Sequence, residues 1–222
     1  METKNNSSEI YQGQFGEFTI TEDDRREVVI YRLGLSLAAL SFAIGSSLIL
    51  VTGELPWVLK LLTILFGLFS LGLGISLVTI HIYLRPLHRL LQLFWLVGTI
   101  TALIMTVQSS EPLALFVYYH PLTLLGIGLT FAALTGIYFK EAFCFNRLET
   151  KFLTFLVPSL LLGHLTGILP VNLEQGLLLA WSGLFIVFVL RKAIQPIPPD
   201  IGDKSVFTYL DQLKDQKLAA KS

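Results

Sequence analysis

A lysine, a glutamate and the chain's single cysteine lie close together in the stretch GIYFKEAFCFNR, residues 136 to 147. Lys140, Glu141 and Cys144 could form a reactive cluster in which a nearby cation favours the thiolate. They could also form a helix end at a membrane surface, where both charges reach water. Nucleophilic catalysis would need a base and an orienting group, and this stretch contains no histidine. The pattern therefore favours an interfacial corner, and we predict no catalytic residue in this chain.

His164 is the second candidate, because it lies inside an apolar stretch. It is six residues before Pro170, which places it on the order of 8 Å below the outer surface if the segment is a helix. A polar group at that depth needs a partner. It could hydrogen-bond to a serine or threonine of a neighbouring helix, which the sequence favours, or it could be an axial ligand of chlorophyll or haem. His120 is a weaker candidate for a second haem ligand, and no metal-ion site is predicted.

Small residues surround that histidine in SLLLGHLTG. Ser159, Gly163 and Gly167 are spaced four apart. The small-xxx-small pattern lets two membrane helices approach closely. We therefore expect these three residues to form a helix-packing face.

The composition indicates which protein class must hold these residues. The 222 residues are 53% hydrophobic and 14% charged, whereas soluble domains carry about 25% charge. The 16 basic and 16 acidic residues balance, so nucleic acid is not an expected partner. One cysteine excludes an internal disulfide, a CxxC redox pair and a cysteine-rich metal site. The composition indicates a protein embedded in a lipid bilayer.

Six apolar segments have the length needed to cross about 30 Å of hydrocarbon. The fold predicted is an all-α, polytopic membrane bundle of six transmembrane helices. Prolines at turns and first helical positions separate the segments. The segments are 33–52, 56–80, 87–107, 121–139, 152–169 and 174–190. Residues 111–121 are apolar in part but too short to span, and we expect an interfacial or re-entrant piece there.

The basic residues are distributed very unevenly about these segments. Fifteen of the 16 fall on the side that holds both termini, and Lys60 alone falls on the other. The positive-inside rule then predicts that the termini and the loop after residue 140 are cytoplasmic or stromal.

Short polar regions flank the spans. Residues 1–32 are expected to form a short strand or hairpin followed by a helix that opens with a capping box at Thr21. Residues 33–190 form the predicted transmembrane domain. Residues 191–222 are expected to form a proline-containing linker and an amphipathic C-terminal helix that lies on the membrane or docks a partner.

Three stretches carry a family resemblance: GIYFKEAFCFNRLE, LLLGHLTGILP and DRREVVIYRLG. Across residues 20–192 the chain resembles a family of uncharacterised integral membrane proteins of cyanobacteria and chloroplast-bearing plants. The resemblance implies a thylakoid or plasma membrane and a role near photosynthetic complexes. It implies no catalytic residues.

Three functions are compatible with these observations. The first is a non-enzymatic accessory or assembly factor that docks other membrane proteins. The second is a chlorophyll- or haem-binding protein that uses His164. The third is a small transporter, although transporters usually carry ionisable groups near the bilayer midplane and none of the charged residues here lies there.

Overall fold

Helices account for nearly all of the structure, a computed structural model that describes residues 9 to 219. The ends of the predicted terminal regions, residues 1–8 and 220–222, lie outside the described residues. In chain order the elements are β1 (Ile10–Gly13), β2 (Gly16–Thr19), α1 (Glu22–Thr52), α2 (Pro56–Thr79), α3 (Arg85–Gln108), α4 (Leu113–Tyr119), α5 (Leu124–Phe145), α6 (Leu148–Thr166), α7 (Val171–Ala193), α8 (Pro198–Ile201) and α9 (Ser205–Ala219).

Six of these helices, α1, α2, α3, α5, α6 and α7, are long and apolar enough to cross a membrane. The predicted six-span, all-α bundle is therefore confirmed. We call the end of the bundle that carries β1, β2, α8 and α9 the terminal face, and the other end the opposite face. The seven-residue helix α4 lies at the opposite face, is too short to span, and leads through a 3-10 turn, Pro121–Thr123, into α5.

Local chemistry sets the helix boundaries. α1 begins with a capping box. The Thr21 hydroxyl accepts a hydrogen bond from the Asp24 backbone N–H, and the Asp24 carboxylate accepts one from the Thr21 backbone N–H. Pro56 and Pro86 occupy the first turns of α2 and α3, where a missing N–H costs nothing. α5 ends at Asn146, whose left-handed backbone reverses the chain into α6.

The helices pack through small residues and through an aromatic centre. α1 and α2 cross where Gly34 and Gly72 meet, and a Cβ at either glycine would lie within 2.7 Å of the other's carbonyl oxygen. In the centre, the Trp181 indole N–H donates to the Tyr138 hydroxyl, beside the buried ring of Phe185. Lipid tails are as apolar as these side chains, so close packing and such hydrogen bonds stabilise the bundle.

A small extramembrane unit, which we call the cap, covers the terminal face. It consists of the β1–β2 hairpin, α8 and α9. The antiparallel hairpin pairs Ile10 with Thr19, and a separate apolar cluster joins Ile20, Val28 and Ile201. The cap therefore unites the two ends of the described chain.

Candidate functional site

Five charged residues from four helices meet beneath the cap, and we call them the ion network. They are Arg32 on α1, Lys140 and Glu141 on α5, Lys192 on α7 and Asp200 on α8. Over the whole residue, the exposed fractions are 0% for Glu141, 1% for Lys192 and 5% for Asp200. Charged residues are almost never so buried unless they are paired.

Lys192 is the centre of the network. Its Nζ lies 2.6 Å from Glu141 Oε2 and 2.6 Å from Asp200 Oδ1. Lys140 donates to the other oxygen of Glu141, at 2.9 Å, and the Tyr31 hydroxyl donates to that same oxygen, at 3.2 Å. Both carboxylate oxygens of Glu141 are thus satisfied, as a buried charge requires.

Arg32 ties the polypeptide between α7 and α8 to the bundle. Its Nε and Nη2 donate to Asp200 Oδ2 at 2.9 and 2.7 Å, and its Nη1 donates to the Gln195 carbonyl at 2.7 Å. The planar guanidinium suits such a multidentate contact. The C-terminal part of the cap is therefore held to α1 by charge-assisted hydrogen bonds.

An aromatic ring closes one side of the network. The Lys192 Nζ lies 4.3 Å from the centre of the Phe145 ring, within cation–π distance. The ring and the burial keep water from the network, which strengthens each electrostatic contact in it. A buried pair of this kind roughly offsets its own desolvation, but the loss of one partner costs about 3–5 kcal/mol.

The expected interfacial corner is corrected in one respect. Glu141 does not face water as expected, because it is fully buried between Lys140 and Lys192. Cys144, by contrast, is exposed. The structure therefore separates the thiol from the carboxylate, which points into the bundle.

A second ion pair lies beside the network at the start of α6. Arg191 Nη1 lies 2.7 Å from Glu149 Oε2, while Glu149 Oε1 and Arg147 Nη1 are buried without a partner among the described residues. Arg147 also donates to the Gln195 side chain. Among the described residues, this corner is therefore less completely paired than the ion network.

At the opposite face, His164 joins three elements. Its Nδ1 lies 2.7 Å from Glu174 Oε1 on α7, and its Nε2 lies 3.0 Å from the backbone carbonyl of Tyr118 on α4. The Tyr118 hydroxyl donates to the second oxygen of Glu174, at 3.3 Å. Burial and the Glu174 carboxylate raise the pKa of Tyr118, so the phenol stays a donor.

His164 also lines a cavity of about 400 Å³, which we call the opposite-face cavity. Its wall is formed by α1, α2, α4, α6 and α7. A second, apolar cavity of about 250 Å³ adjoins it. Four residues line both cavities: Ile49, Leu62, Ala114 and Leu178.

The other predicted site residues are placed differently. The His120 ring nitrogen bonds to the Phe116 carbonyl of its own helix and the side chain is exposed. Ser159 is exposed, Gly163 is buried against Leu169, and Gly167 ends α6 in a left-handed conformation. Among the described residues Gly163 is buried, whereas Ser159 and Gly167 are exposed, and a common packing face stays a prediction.

Comparison with known proteins gives one match. No curated protein and no solved structure matches the chain. Residues 75–209, more than half of the chain, match the family described as uncharacterized integral membrane protein (DUF2301). The matched region runs from the end of α2 into α9 and includes Glu141, His164, Glu174, Lys192 and Asp200. The chain therefore belongs to this DUF2301 family of integral membrane proteins.

Proposed function

We propose that this protein is a non-enzymatic accessory or assembly factor, which docks other membrane proteins through its cap. The observation that carries the proposal is the ion network, which binds the cap to the bundle through buried, multidentate contacts. A cap held in this way keeps a fixed orientation relative to the membrane. A fixed orientation lowers the cost of binding a partner that is confined to the same membrane.

Further contacts hold the parts of the cap together. Asp203 accepts from the Gln14 backbone N–H at 2.6 Å, and Lys204 Nζ lies 2.7 Å from Asp24. The Phe15 ring stacks on Tyr209 with centroids 4.1 Å apart. These contacts join the hairpin to the C-terminal part of the cap and attach the cap to the start of α1.

Apolar side chains remain exposed on this unit. Ile10, Phe15 and Leu210 have exposed fractions of 68%, 45% and 41%. They lie outside the six spans, where a protein partner can reach them. Exposed apolar groups on an extramembrane surface favour protein contacts.

The side of the membrane on which the cap lies is also part of this proposal. The terminal face is cytoplasmic or stromal, a side supported by the distribution of 15 basic residues against one. The family resemblance described above supports a thylakoid or plasma membrane of a cyanobacterium or a plastid. It also supports photosynthetic complexes as partners.

A second candidate is the binding of chlorophyll or haem at His164. It is favoured by the position of the ring on the wall of the opposite-face cavity. Both ring nitrogens are hydrogen-bonded, so axial ligation through Nε2 would first require that nitrogen to leave the Tyr118 carbonyl. The third candidate, a transporter, has no comparable observation in its favour.

The experiment is quantitative co-purification from the native membrane in mild detergent, together with an absorption spectrum. Leu210→Glu should reduce the recovery of stoichiometric partners about tenfold or more, because it places a charge in an apolar contact. Thr208→Glu, on the exposed part of the same helix, is the matched control and should not. Equal recovery with both variants would contradict docking through the cap, and a visible absorption band would favour the second candidate.

A further inference from the structure

We propose that the opposite-face cavity binds one single-chain amphiphile, with its tail directed into the bundle and a hydrogen-bond-donating, non-anionic head group at the cavity mouth. The site is separate from the cap and from the ion network. It is independent of the proposed docking function, and neither result decides the other.

The two cavities share four lining residues and follow one another along α1. The mouth includes Gly53 and Glu54 at the end of α1, and the inner cavity reaches Ser41 and Phe42 near the middle of that helix. Residues 41 to 53 of a helix cover roughly 18 Å. The combined volume falls within the range of small-molecule sites in proteins.

The inner cavity suits an alkyl chain. Its wall is largely aromatic and aliphatic, with Phe42, Phe69 and Phe131 at its inner end. Trp181 packs directly behind this end, with ring centroids 4.4 Å from Phe42 and 5.3 Å from Phe131. An alkyl tail would regain there the dispersion contacts that an unfilled space lacks.

The mouth has different chemistry. The titratable residues among the described lining are Glu54, Glu174, His164 and Tyr118. Tyr118 adds a ring that packs on His164, at 4.8 Å between centroids. A polar mouth above an apolar interior matches a molecule with one polar end, because each part then meets its own kind of surface.

The charge at the mouth selects the head group. When His164 is protonated, its charge cancels that of Glu174, and Glu54 gives the mouth a net charge of minus one. When His164 is neutral, the two carboxylates give the mouth a net charge of minus two. The mouth is acidic in both states. It should therefore attract amines and accept hydrogen bonds from hydroxyl groups, and it should repel carboxylates and phosphates.

The test uses the full-length protein in mild detergent and its own tryptophan fluorescence. The probes are undecylamine, undecanol and undecanoate, each brominated at the tail end, because bromine quenches tryptophan at short range. Trp181 lies behind the inner cavity, so a bound tail should quench it and the quenching should saturate. The amine and the alcohol should bind at least about tenfold more tightly than the carboxylate.

Two pairs of variants make the result specific. Ala114→Phe fills the point shared by the two cavities and should abolish saturable quenching, whereas Ala180→Phe, on the exposed side of α7, should not. Glu174→Gln should reduce the preference for the amine, whereas Glu111→Gln, away from the cavity, should leave it unchanged. If Ala114→Phe does not give monodisperse protein, Leu178→Phe narrows the same point from α7 without adding a tryptophan.

Two results of these binding measurements would contradict the proposal. Quenching that never saturates, or that is equal in Ala114→Phe and Ala180→Phe, would show partition into the detergent alone and would overturn the proposal. Binding of the carboxylate as tight as that of the amine would overturn the assignment of the head group.

Discussion

Lys192 on α7 and Asp200 on α8 form a 2.6 Å ion pair in which both side chains are at most 2% exposed. Lys192 lies at the end of a span, and Asp200 lies in the cap. The second carboxylate that Lys192 contacts, Glu141, belongs to the bundle. One ammonium group therefore connects the membrane domain to the C-terminal part of the chain.

The first prediction concerns this connection. Lys192→Met should lower the free energy of unfolding by about 1.5–3 kcal/mol, since Glu141 and Asp200 each lose a buried charge-assisted hydrogen bond while Lys140 and Arg32 remain. Lys151→Met, which removes an exposed lysine bonded to Asn146, is the control and should have little effect. Denaturant unfolding in detergent measures both. A loss in Lys192→Met no larger than in Lys151→Met would mean that the network is not stabilising the fold.

How far the sequence predicts the structure depends on the range of the interaction. The spans were predictable because long stretches without charge, such as residues 33 to 53, have few alternatives to a membrane helix. The short helix α4 was recognisable as too short to span. The contacts of Glu141 were not predictable, because Lys192 is 51 residues away and only helix packing brings the two together.

The proximity of His164 to Glu174 follows from the spacing of the two residues in the sequence. α6 and α7 form a hairpin whose turn runs from Gly167 to Pro170. His164 lies three residues before this turn and Glu174 lies four residues after it. Residues so placed on antiparallel helices lie at the same depth, so the spacing brings Glu174 close to His164, although a serine or threonine was the expected partner. The contact to the Tyr118 carbonyl has no such signal, since it depends on where α4 packs.

The second prediction tests the orientation of the protein in its membrane. The terminal face should be cytoplasmic or stromal, because Lys and Arg concentrate there. Cys144, which is exposed at that face, should resist an impermeant thiol reagent applied from outside and react once the inner side is opened. Glu54→Cys combined with Cys144→Ser is the matched control and should show the reverse pattern. Labelling of Cys144 from outside would reverse the orientation.

The third prediction is a pH dependence that arises at His81, between α2 and α3. Burial lowers the pKa of His81, and it outweighs the Glu27 carboxylate 3.4 Å away, which raises that pKa. Among the more distant charges, Asp24 raises the pKa of His81, whereas Lys140 and Lys204 lower it. The folded state therefore binds its proton less readily than the unfolded state does. Stability should fall as the pH drops through about 6.5, the pKa of unfolded histidine, and continue to fall until the folded pKa is passed.

The comparison that isolates this effect is His81→Gln against His120→Gln. Unfolding midpoints measured between about pH 7.5 and pH 5.5 bracket the histidine transition. His81→Gln should lose less stability over this range than the unmodified protein loses. His120→Gln, which changes an exposed ring, should retain the full loss. Identical pH profiles for the His81 variant and the unmodified protein would contradict the assignment.

The last prediction concerns His164, whose two ring nitrogens hold α7 and α4 to α6. His164→Leu should lower the free energy of unfolding by about 1 to 2 kcal/mol, since two hydrogen bonds are lost and the Glu174 carboxylate loses its nearest partner. His120→Leu removes a histidine whose bond stays within its own helix, and it should cost less. Cys144→Ser should change neither stability nor cellular function.

An absorption spectrum of each purified variant separates the two roles of His164. Loss of a visible band would identify a ligand, whereas reduced stability without a spectral change would identify a hydrogen-bonding group. If His164→Leu changed neither property and Cys144→Ser abolished function, the exposed thiol would be the reactive group and His164 would have neither role.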